Sequence, residues 1–326
     1  MKLFDCSRSR EAPCHRESSM GPSQNDIMAD LKKYCHMYGA EFVDDPSKCD
    51  VIITNDVYPK EVLIFDKPRV KRMDDTYWQE SLKTMNEPLN KAALQSDCVI
   101  FISSYSEWSY LMLYGEALND SIVILNNANS MIFNCAGRAN RMRNKRFTFA
   151  ASASNWSRSE KRFKNLLEFA NNITDAIYLI GKYDEAEGNL PPNIIKMGYL
   201  TEQTSMAKVL GQVEAFVNLS YRDPAPKVVC QAVNCGLPVL YANSGGTGEI
   251  VSAKGSGVAI RDRNDICFET ESYSLDINDI MDSYYRFKIT FDDLANKAIE
   301  TSKIDSFDTL GRYFATFRAY CKEGAN

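Results

Sequence analysis

The chain has 326 residues, of which 44% are hydrophobic and 25% charged, and its net charge is -5. This length exceeds the usual size of a single hydrophobic core, so we expect two domains. An acidic balance gives no global attraction to nucleic acid or to an acidic membrane surface. No apolar run reaches the ~20 residues that a membrane-spanning helix needs. The composition therefore predicts a folded protein of enzyme size.

The cysteines predict the compartment. The ten cysteines are scattered and include no Cys-x-x-Cys pair, and the chain has only two histidines that could assist a zinc site. Cys98 and Cys230 lie inside apolar runs, where cysteine behaves as a small hydrophobic residue. Charged residues near the start interrupt any signal-peptide core. We therefore expect free thiols, no metal, and a soluble, cytoplasmic protein.

In the first half of the chain, short apolar runs alternate with longer amphipathic stretches. The pattern predicts helices and strands in the following places: a helix at 25–38, strands at 51–54 and 62–65, a helix at 87–95, and strands at 98–103 and 122–125. This alternation is typical of a parallel sheet whose strands are joined by helices.

The second half repeats the same pattern. Its predicted elements are strands at 147–151, 176–180, 215–219 and 238–242, and helices at 162–170, 201–210 and 228–234. Between the halves, the basic stretch 134–146 lacks apolar periodicity and predicts a linker. We therefore expect two α/β domains, at 1–140 and 141–306. Apolar residues at helical spacing over 307–320 predict a final helix.

The segment from Asp223 to Val251 carries the clearest chemical signal. It predicts a Pro-rich loop, a short helix closed by Gly236, a buried strand and a glycine-rich loop at 245–248. In open α/β sheets, ligands bind beyond the carboxyl ends of the strands. The helix that begins near Lys227 would direct its first N–H groups and its positive dipole end toward such a ligand. A phosphate or a set of sugar hydroxyls would fit there.

The sequence 223–251 resembles the donor-binding signature of the retaining GT-B glycosyltransferases of family 4, the glycosyl transferases group 1. In that family, an acidic residue precedes a glutamate by eight positions, and Cys/Ser-Gly-x-Pro-Val and a Gly-Gly loop ending in Glu-Ile-Val follow. Here Asp223 holds the first position and Gln231 the second. The resemblance implies that Asp223, Ala225 and Pro226 approach the transferred sugar and that Gln231 reaches the ribose.

Two further segments of the second half are similar to the same family. Residues 149–170 resemble the segment that opens the second domain, where Lys-Gly-Phe leads into a helix; Arg162 here replaces the glycine. The resemblance implies that Lys161 neutralises the donor diphosphate, assisted by a set of further groups: Arg158, Lys227, Gly245 and Gly246. Residues 193–200 are similar to the strand and loop that hold the nucleotide base, which implies Tyr199 or Leu200 beside the base.

The first half matches the family more weakly but in order. Gly21, ahead of the first helix, is similar to the glycine loop that meets the donor phosphates. Residues 68–78 resemble an Arg-x-Asp-Gly-x-Tyr stretch and make Asp74 a candidate acceptor-side base. Residues 96–106 and 124–133 resemble an aspartate–strand–serine element and a turn before the linker.

The resemblance implies a GT-B fold: two Rossmann-like, doubly wound parallel-sheet domains facing a central cleft, with the last helix, about 307–326, packing on the first domain. It also implies a hexosyltransferase that moves a hexose or related sugar from a UDP- or GDP-sugar to a glycan or other hydroxyl acceptor. Retention of configuration, catalysis by Lys161, Asp223 and Asp74, and independence of metals and cofactors are implied as well. Nucleic acid is not an expected partner.

Other functions stay open. A GT-B module that lost transfer with its glutamates would bind a nucleotide sugar or glycan, and Gln231 keeps this alternative in place. A nucleotide-sugar epimerase could use the same fold. A dinucleotide-dependent oxidoreductase is disfavoured, because the glycine loop at 245–248 lies late in the chain and lacks both the G-x-G-x-x-G form and a ribose-binding acid ~20 residues further on.

Overall fold

The structure is a computed structural model that describes residues 1–7, 22–74, 76, 84–115, 117–138, 146–183, 190–262, 274–302 and 306–321. The chain divides into two compact units. Unit 1 comprises Met1–Leu125 and Phe307–Asn326, and unit 2 comprises Asn126–Ser306. The domain boundary expected at 140 falls within 139–145, outside the described residues, and the division of the structure lies earlier in the chain.

The described strands pair in parallel and form two six-stranded sheets. Unit 1 contains β1 (Lys2–Asp5), β2 (Glu41–Phe42), β3 (Val51–Thr54), β4 (Arg69–Met73), β5 (Cys98–Phe101) and β6 (Ser121–Val123), in the order β2-β1-β3-β4-β5-β6. Unit 2 contains β7 (Thr148–Asn155), β8 (Ala176–Lys182), β9 (Ile194–Gly198), β10 (Ala215–Asn218), β11 (Val239–Ala242) and β12 (Gly257–Ile260), in the order β12-β11-β10-β7-β8-β9.

Helices connect and cover these strands. They are α1 (Pro22–Tyr34), α2 (Asn86–Leu94), α3 (Ser104–Tyr114), α4 (Phe163–Asn171), α5 (Gln203–Leu210), α6 (Lys227–Asn234), α7 (Thr247–Lys254), α8 (Ile277–Ile289), α9 (Phe291–Thr301) and α10 (Ser306–Tyr320). Strands such as β3 and β5 are buried along their whole length, which is the burial that helices on both faces of a parallel sheet produce. The predicted α/β class is thus confirmed.

The core of unit 2 is rich in aromatic rings. The Phe149 ring of β7 lies 5.9 Å from Phe169 of α4 and 5.8 Å from Phe287 of α8, measured between ring centroids. Tyr284 of α8 packs edge-on against Phe169 at 5.5 Å. Rings packed at these distances hold α4 and α8 against the sheet. The loops that follow the strands of unit 2 therefore extend from a well-packed core.

Helix α10 belongs to the core of unit 1. Phe314 stacks on Tyr38, with 4.6 Å between the ring centroids, and Phe317 is buried beside it. The Tyr313 hydroxyl accepts a hydrogen bond of 2.9 Å from Nε of Arg72 in β4. The N-terminal unit is therefore completed by a helix from the far end of the chain.

The strand predicted at 62–65 is wrong: these residues form turns, and Ile64 is 79% exposed. The strand that follows β3 is β4, where Lys71 and Arg72 are buried. The Lys71 ammonium donates to the Asp56 carbonyl, and Arg72 is paired with Asp74. Because its charges find partners inside the protein, β4 does not need the apolar pattern by which buried strands are recognised.

Candidate functional site

Three loops of unit 2 gather the residues that the sequence marks for chemistry. They follow β7, β10 and β11 and span residues 156–162, 219–226 and 243–246. These three strands are neighbours in the sheet and run parallel, so their carboxyl ends meet at one edge. Such an edge is where open α/β sheets bind ligands.

The loops after β7 and β10 place two predicted catalytic groups in contact. Lys161 Nζ lies 2.9 Å from Asp223 Oδ2, and the two side chains are 14% and 20% exposed. They are 62 positions apart in sequence. The fold thus sets a cation and an anion side by side, at a partly shielded position where one ligand could reach both.

The glycine loop after β11 packs directly on the backbone of Asp223. The Gly246 N–H donates to the Asp223 carbonyl at 2.9 Å. Gly245 has φ +66°, and a Cβ atom added there would lie 2.2 Å from the same carbonyl oxygen. Glycine is therefore required at position 245 both by backbone conformation and by space. The second loop predicted from the sequence is thus joined to the first.

Helix α6 begins at this edge, as predicted. Its N-cap is Pro226, whose side chain has no hydrogen-bond acceptor, and its first turn holds Lys227 and no acidic residue. The Ala225 carbonyl accepts a hydrogen bond of 3.1 Å from Asn126 Nδ2, which fixes the loop ahead of the helix. The positive end of the helix dipole and Lys227 both favour an anion here.

Gln231 lies in the second turn of α6 and is only 8% exposed. Its Oε1 atom has no hydrogen-bond partner among the described residues. A buried acceptor without a donor costs free energy. A hydroxyl group of a ligand would supply the donor, so this amide suits the sugar hydroxyls that the resemblance assigns to it.

Other predicted contacts lie around this centre. Arg158 is paired with Glu160, and its side chain is 43% exposed. Tyr199 follows the edge strand β9; it is 38% exposed, and the Lys182 ammonium lies 5.0 Å from its ring centroid. Leu200 beside it is partly buried. Their roles at the diphosphate and the base stay predictions.

Two predicted residues belong to unit 1. Gly21 lies outside the described residues. Asp74 is buried and forms an ion pair with Arg72, which also donates to Tyr313. A neighbouring guanidinium stabilises the charged form of a carboxylate and weakens it as a base. The pairing gives Asp74 a structural role in unit 1 and does not favour the predicted role as a base.

The sequence did not reveal the importance of Arg162. Arg162 has φ +52°, the left-handed conformation that glycine adopts at little cost, and its side chain is buried. Its guanidinium lies 2.8 Å from Asp262 and 4.7 Å from the centre of the Tyr221 ring. The replacement of a family glycine by arginine was visible, but the partner Asp262, 100 positions away, was not.

Neither a metal cluster nor a membrane-spanning helix occurs among the described residues. No group of three His, Cys, Asp or Glu side chains in that part of the chain could hold a metal ion. Within the same ranges, every helix is too short or too polar to cross a bilayer.

Residues 144–271 match the model of the family described as glycosyl transferases group 1. The match contains all three loops and Asp262. Over this segment, which is less than half of the chain, the sequence is similar to the group 1 glycosyltransferases. Among curated proteins, none matches the sequence.

Solved structures show the fold of this chain. A glycosyltransferase from Rickettsia africae superimposes with a TM-score of 0.69 over 99% of both chains at 12% identity. Sucrose-phosphate synthase from Thermosynechococcus elongatus gives 0.67 at 16% identity, over 90% of this chain and 77% of that one. HepE of Anabaena, in complex with UDP and glucose, gives 0.63 at 15% identity, over 98% and 99%. The predicted two-domain GT-B architecture is confirmed.

Proposed function

We propose that this glycosyltransferase moves a hexose or a related sugar from a UDP- or GDP-sugar to a hydroxyl group of a glycan or other acceptor. We further propose retention of the anomeric configuration and no need for a metal or other cofactor. The contact of Lys161 with Asp223 at 2.9 Å, beside the loop of Gly245 and Gly246, carries the proposal. At this contact, the Lys161 ammonium is available to a diphosphate and the adjacent Asp223 carboxylate to a sugar.

The charged groups suit the departure of a nucleoside diphosphate. When the bond between the sugar C1 and the phosphate oxygen breaks, negative charge grows on the diphosphate and positive charge on the sugar. Lys161 and the N-terminus of α6 stabilise the first, and Asp223 stabilises the second. Fixed charges of this kind are effective because they need no rearrangement during the reaction. When the donor binds, phosphate oxygens replace the Asp223 carboxylate as the partner of Lys161.

The acceptor enters on the face that the diphosphate leaves, which retains the configuration. The acceptor oxygen forms the new bond to C1, and its proton passes to an oxygen of the departing phosphate. In this scheme the leaving group serves as the base. The ion pair between Asp74 and Arg72 agrees with such a scheme, because it leaves Asp74 poorly suited to accept a proton.

The nucleoside part of the donor is assigned to the flank of the site. The unpartnered Oε1 atom of Gln231 accepts a ribose hydroxyl, and Tyr199 or Leu200 contacts the base. The complex of Anabaena HepE with UDP-glucose supports a UDP-sugar for this fold. The free cysteines of the described residues suit a reducing compartment, so we place the reaction in the cytoplasm.

One observation favours a second candidate. An uncharged amide at Gln231 gives weaker hydrogen bonds to hydroxyls than a carboxylate would. A protein with this change could bind a nucleotide sugar or glycan without transferring it. An epimerase would instead convert one nucleotide sugar into another.

Nucleotide release separates these functions. The protein is incubated with a panel of UDP- and GDP-sugars, each with and without glycans, simple alcohols and DNA as acceptors. DNA belongs in the panel because an α-glucosyltransferase of similar fold was solved with UDP-glucose and DNA. We expect release that rises with a glycan or other small hydroxyl acceptor, and a product of retained configuration by NMR.

Each other outcome contradicts the proposal. Binding without release, whatever the acceptor, favours the binding module. A new nucleotide sugar without free nucleotide identifies an epimerase. Inverted configuration of the product overturns the proposed geometry of attack while leaving transfer intact.

A further inference from the structure

The surroundings of Lys161 contain a buried cation that the proposed reaction does not use. Arg162 is the next residue in the chain, and its side chain is 1% exposed. Its backbone has φ +52° and ψ +45°, in the left-handed region. Residues other than glycine are strained in that region and persist there only when the surroundings hold them. The contacts of the guanidinium hold this turn together with the hydrogen bond of 3.0 Å from the Arg162 N–H to the Ser159 carbonyl.

Those contacts reach from the first loop of the site to a distant part of unit 2. Arg162 Nη1 lies 2.8 Å from Asp262 Oδ2, and the Asp262 side chain is 3% exposed. Asp262 follows β12 at the far end of the sheet order. Opposite charges buried at this distance fix each other strongly, because removing either one strands the other away from water.

The same guanidinium packs on the loop that carries Asp223. Its Cζ atom lies 4.7 Å from the centre of the Tyr221 ring, two residues before Asp223. The ring is contacted from Arg222 as well, at 4.8 Å. The Tyr221 N–H also donates to the Glu160 carbonyl at 2.8 Å. The loops after β7 and β10 are thus joined both by a backbone hydrogen bond and by a side-chain contact.

Arg162 is consequently linked to both partners of the contact between Lys161 and Asp223. On one side it is covalently next to Lys161, and on the other it packs on the residue that leads into Asp223. A shift of the guanidinium would change the left-handed turn and with it the direction of the Lys161 side chain. Small displacements of a charged group at a site of this type weaken both binding and turnover.

We infer that Arg162, held by Asp262 and Tyr221, is a positioning residue that sets Lys161 against the diphosphate of the donor. The inference rests on the proposed function for the identity of the ligand. It concerns a residue that touches no reacting atom and acts through Lys161. If it is correct, the effect of losing Arg162 disappears when Lys161 is already absent.

A double-mutant cycle of Arg162→Gly and Lys161→Ala tests this. Glycine is the suitable replacement, because it can adopt φ +52° without strain, so that a loss reports the missing side-chain contacts and not a strained backbone. Asp262→Asn accompanies Arg162→Gly wherever that change is made, so that neither charge of the buried pair is left without its partner. The measured quantities are the calorimetric affinities for UDP and GDP and the turnover of the best donor in the panel.

In the protein that retains Lys161, we expect Arg162→Gly to weaken nucleotide affinity or turnover by roughly 10–100-fold. In the Lys161→Ala protein, we expect the same change to weaken them by less than about twofold. Arg162→Lys with Asp262 intact should recover part of the loss, because the ion pair can re-form. Equal effects of Arg162→Gly in both backgrounds would overturn the inference. An effect below twofold in both would overturn it too.

A matched control is available in the same unit. Lys288 Nζ lies 2.9 Å from Asp175 Oδ2, and Asp175 precedes β8 at the opposite edge of the sheet. Lys288→Ala breaks this ion pair far from the three loops. We expect it to lower the melting temperature and to leave affinity and turnover within about twofold.

Failure of the proposed function is recognised separately. If the wild type binds nucleotide without transfer, the affinity cycle still decides the role of Arg162. If the wild type binds neither UDP nor GDP, a crystal structure of Arg162→Gly decides it. Lys161 Nζ beyond 4 Å from Asp223 Oδ2 then supports positioning, and an unchanged ion pair refutes it.

Discussion

Lys161 is the residue on which the proposed reaction depends most. It is the cation in contact with Asp223, and an alanine there removes the charge that would meet the diphosphate. Removing one preorganised group that stabilises developing negative charge lowers turnover by about 10²–10³-fold. We expect Lys161→Ala to show a loss of that size in nucleotide release, with an unchanged far-UV circular dichroism spectrum.

Lys288→Ala is the comparison for this change as well. It also removes a lysine from an ion pair of unit 2, at the opposite edge of the sheet. Near-normal turnover of Lys161→Ala would remove Lys161 from the mechanism. An equal loss in Lys288→Ala would attribute the effect to stability.

The buried thiols give a prediction that does not depend on the function. Burial raises the pKa of Cys6 to about 12 and the pKa values of Cys49 and Cys98 to about 11. The thiolate is the reactive form, so the folded protein holds these thiols nearly unreactive at pH 8. We expect mass spectrometry to find these cysteines unlabelled by maleimide at pH 8, and all cysteines labelled in urea.

The same pKa shifts determine whether the stability of the fold rises or falls with pH. Above about pH 9 the unfolded chain releases thiol protons that the folded chain keeps, so unfolding becomes more favourable as pH rises. The contribution is complete below pH 9 and is lost between pH 9 and the folded pKa values of 11 to 12. Rapid labelling of Cys6 in the folded protein at pH 8 would contradict both statements.

Residue roles could be predicted from sequence where a motif is local. Lys161, Asp223 and Gln231 were singled out because short, ordered motifs surround them, and the fold brings the first two into contact. Arg162 and Asp262 pair across 100 positions, and nothing in either local sequence indicates the other. Long-range pairs of this kind depend on the strand order, which the sequence alone did not provide.

At the scale of elements, the junction of two loops decides whether the site forms. The Gly246 N–H bonds to the Asp223 carbonyl, and Gly245 lies against the same group. For Gly245→Ala we expect about 1–3 kcal/mol of destabilisation from the new contact, in addition to the ~1 kcal/mol that the left-handed conformation costs. Thermal unfolding measures this loss, and donor turnover should fall with it.

Gly115→Ala separates the two contributions. Gly115 ends α3 with φ +61°, and an added Cβ would meet nothing within 4 Å. It should therefore cost only the conformational term of ~1 kcal/mol and spare turnover. If the two alanine variants unfold alike, the close approach at Asp223 is not an energetic constraint.

The elements themselves were predicted unevenly. The β-branched strand β3 and the largely apolar strand β10 were placed within a residue of their bounds. β4 was missed because a central strand that carries Arg69, Lys71 and Arg72 has no apolar signature. Its buried charges are satisfied by partners that only the folded unit provides.

At the scale of the molecule, the proposed chemistry relies on charges that the chain itself supplies. The described residues contain no cluster of metal-ligating side chains. We expect EDTA to leave nucleotide release within about twofold of the untreated protein, because Lys161 and the α6 dipole replace a cation at the diphosphate. Magnesium or manganese added after EDTA should not increase nucleotide release. A loss with EDTA that manganese reverses would contradict metal independence.

The placement of α10 affects how the protein is made. Unit 2 is one continuous stretch of chain, whereas unit 1 needs both its first 125 residues and the helix that packs on them. During synthesis the ribosome finishes unit 2 before α10 emerges. Until then the surface that α10 covers, which includes the Tyr38 ring beneath Phe314, is exposed, although the sheet of unit 1 was translated long before. The first unit to be translated is thus the last to be completed, and this interval is when the nascent chain most needs protection from aggregation.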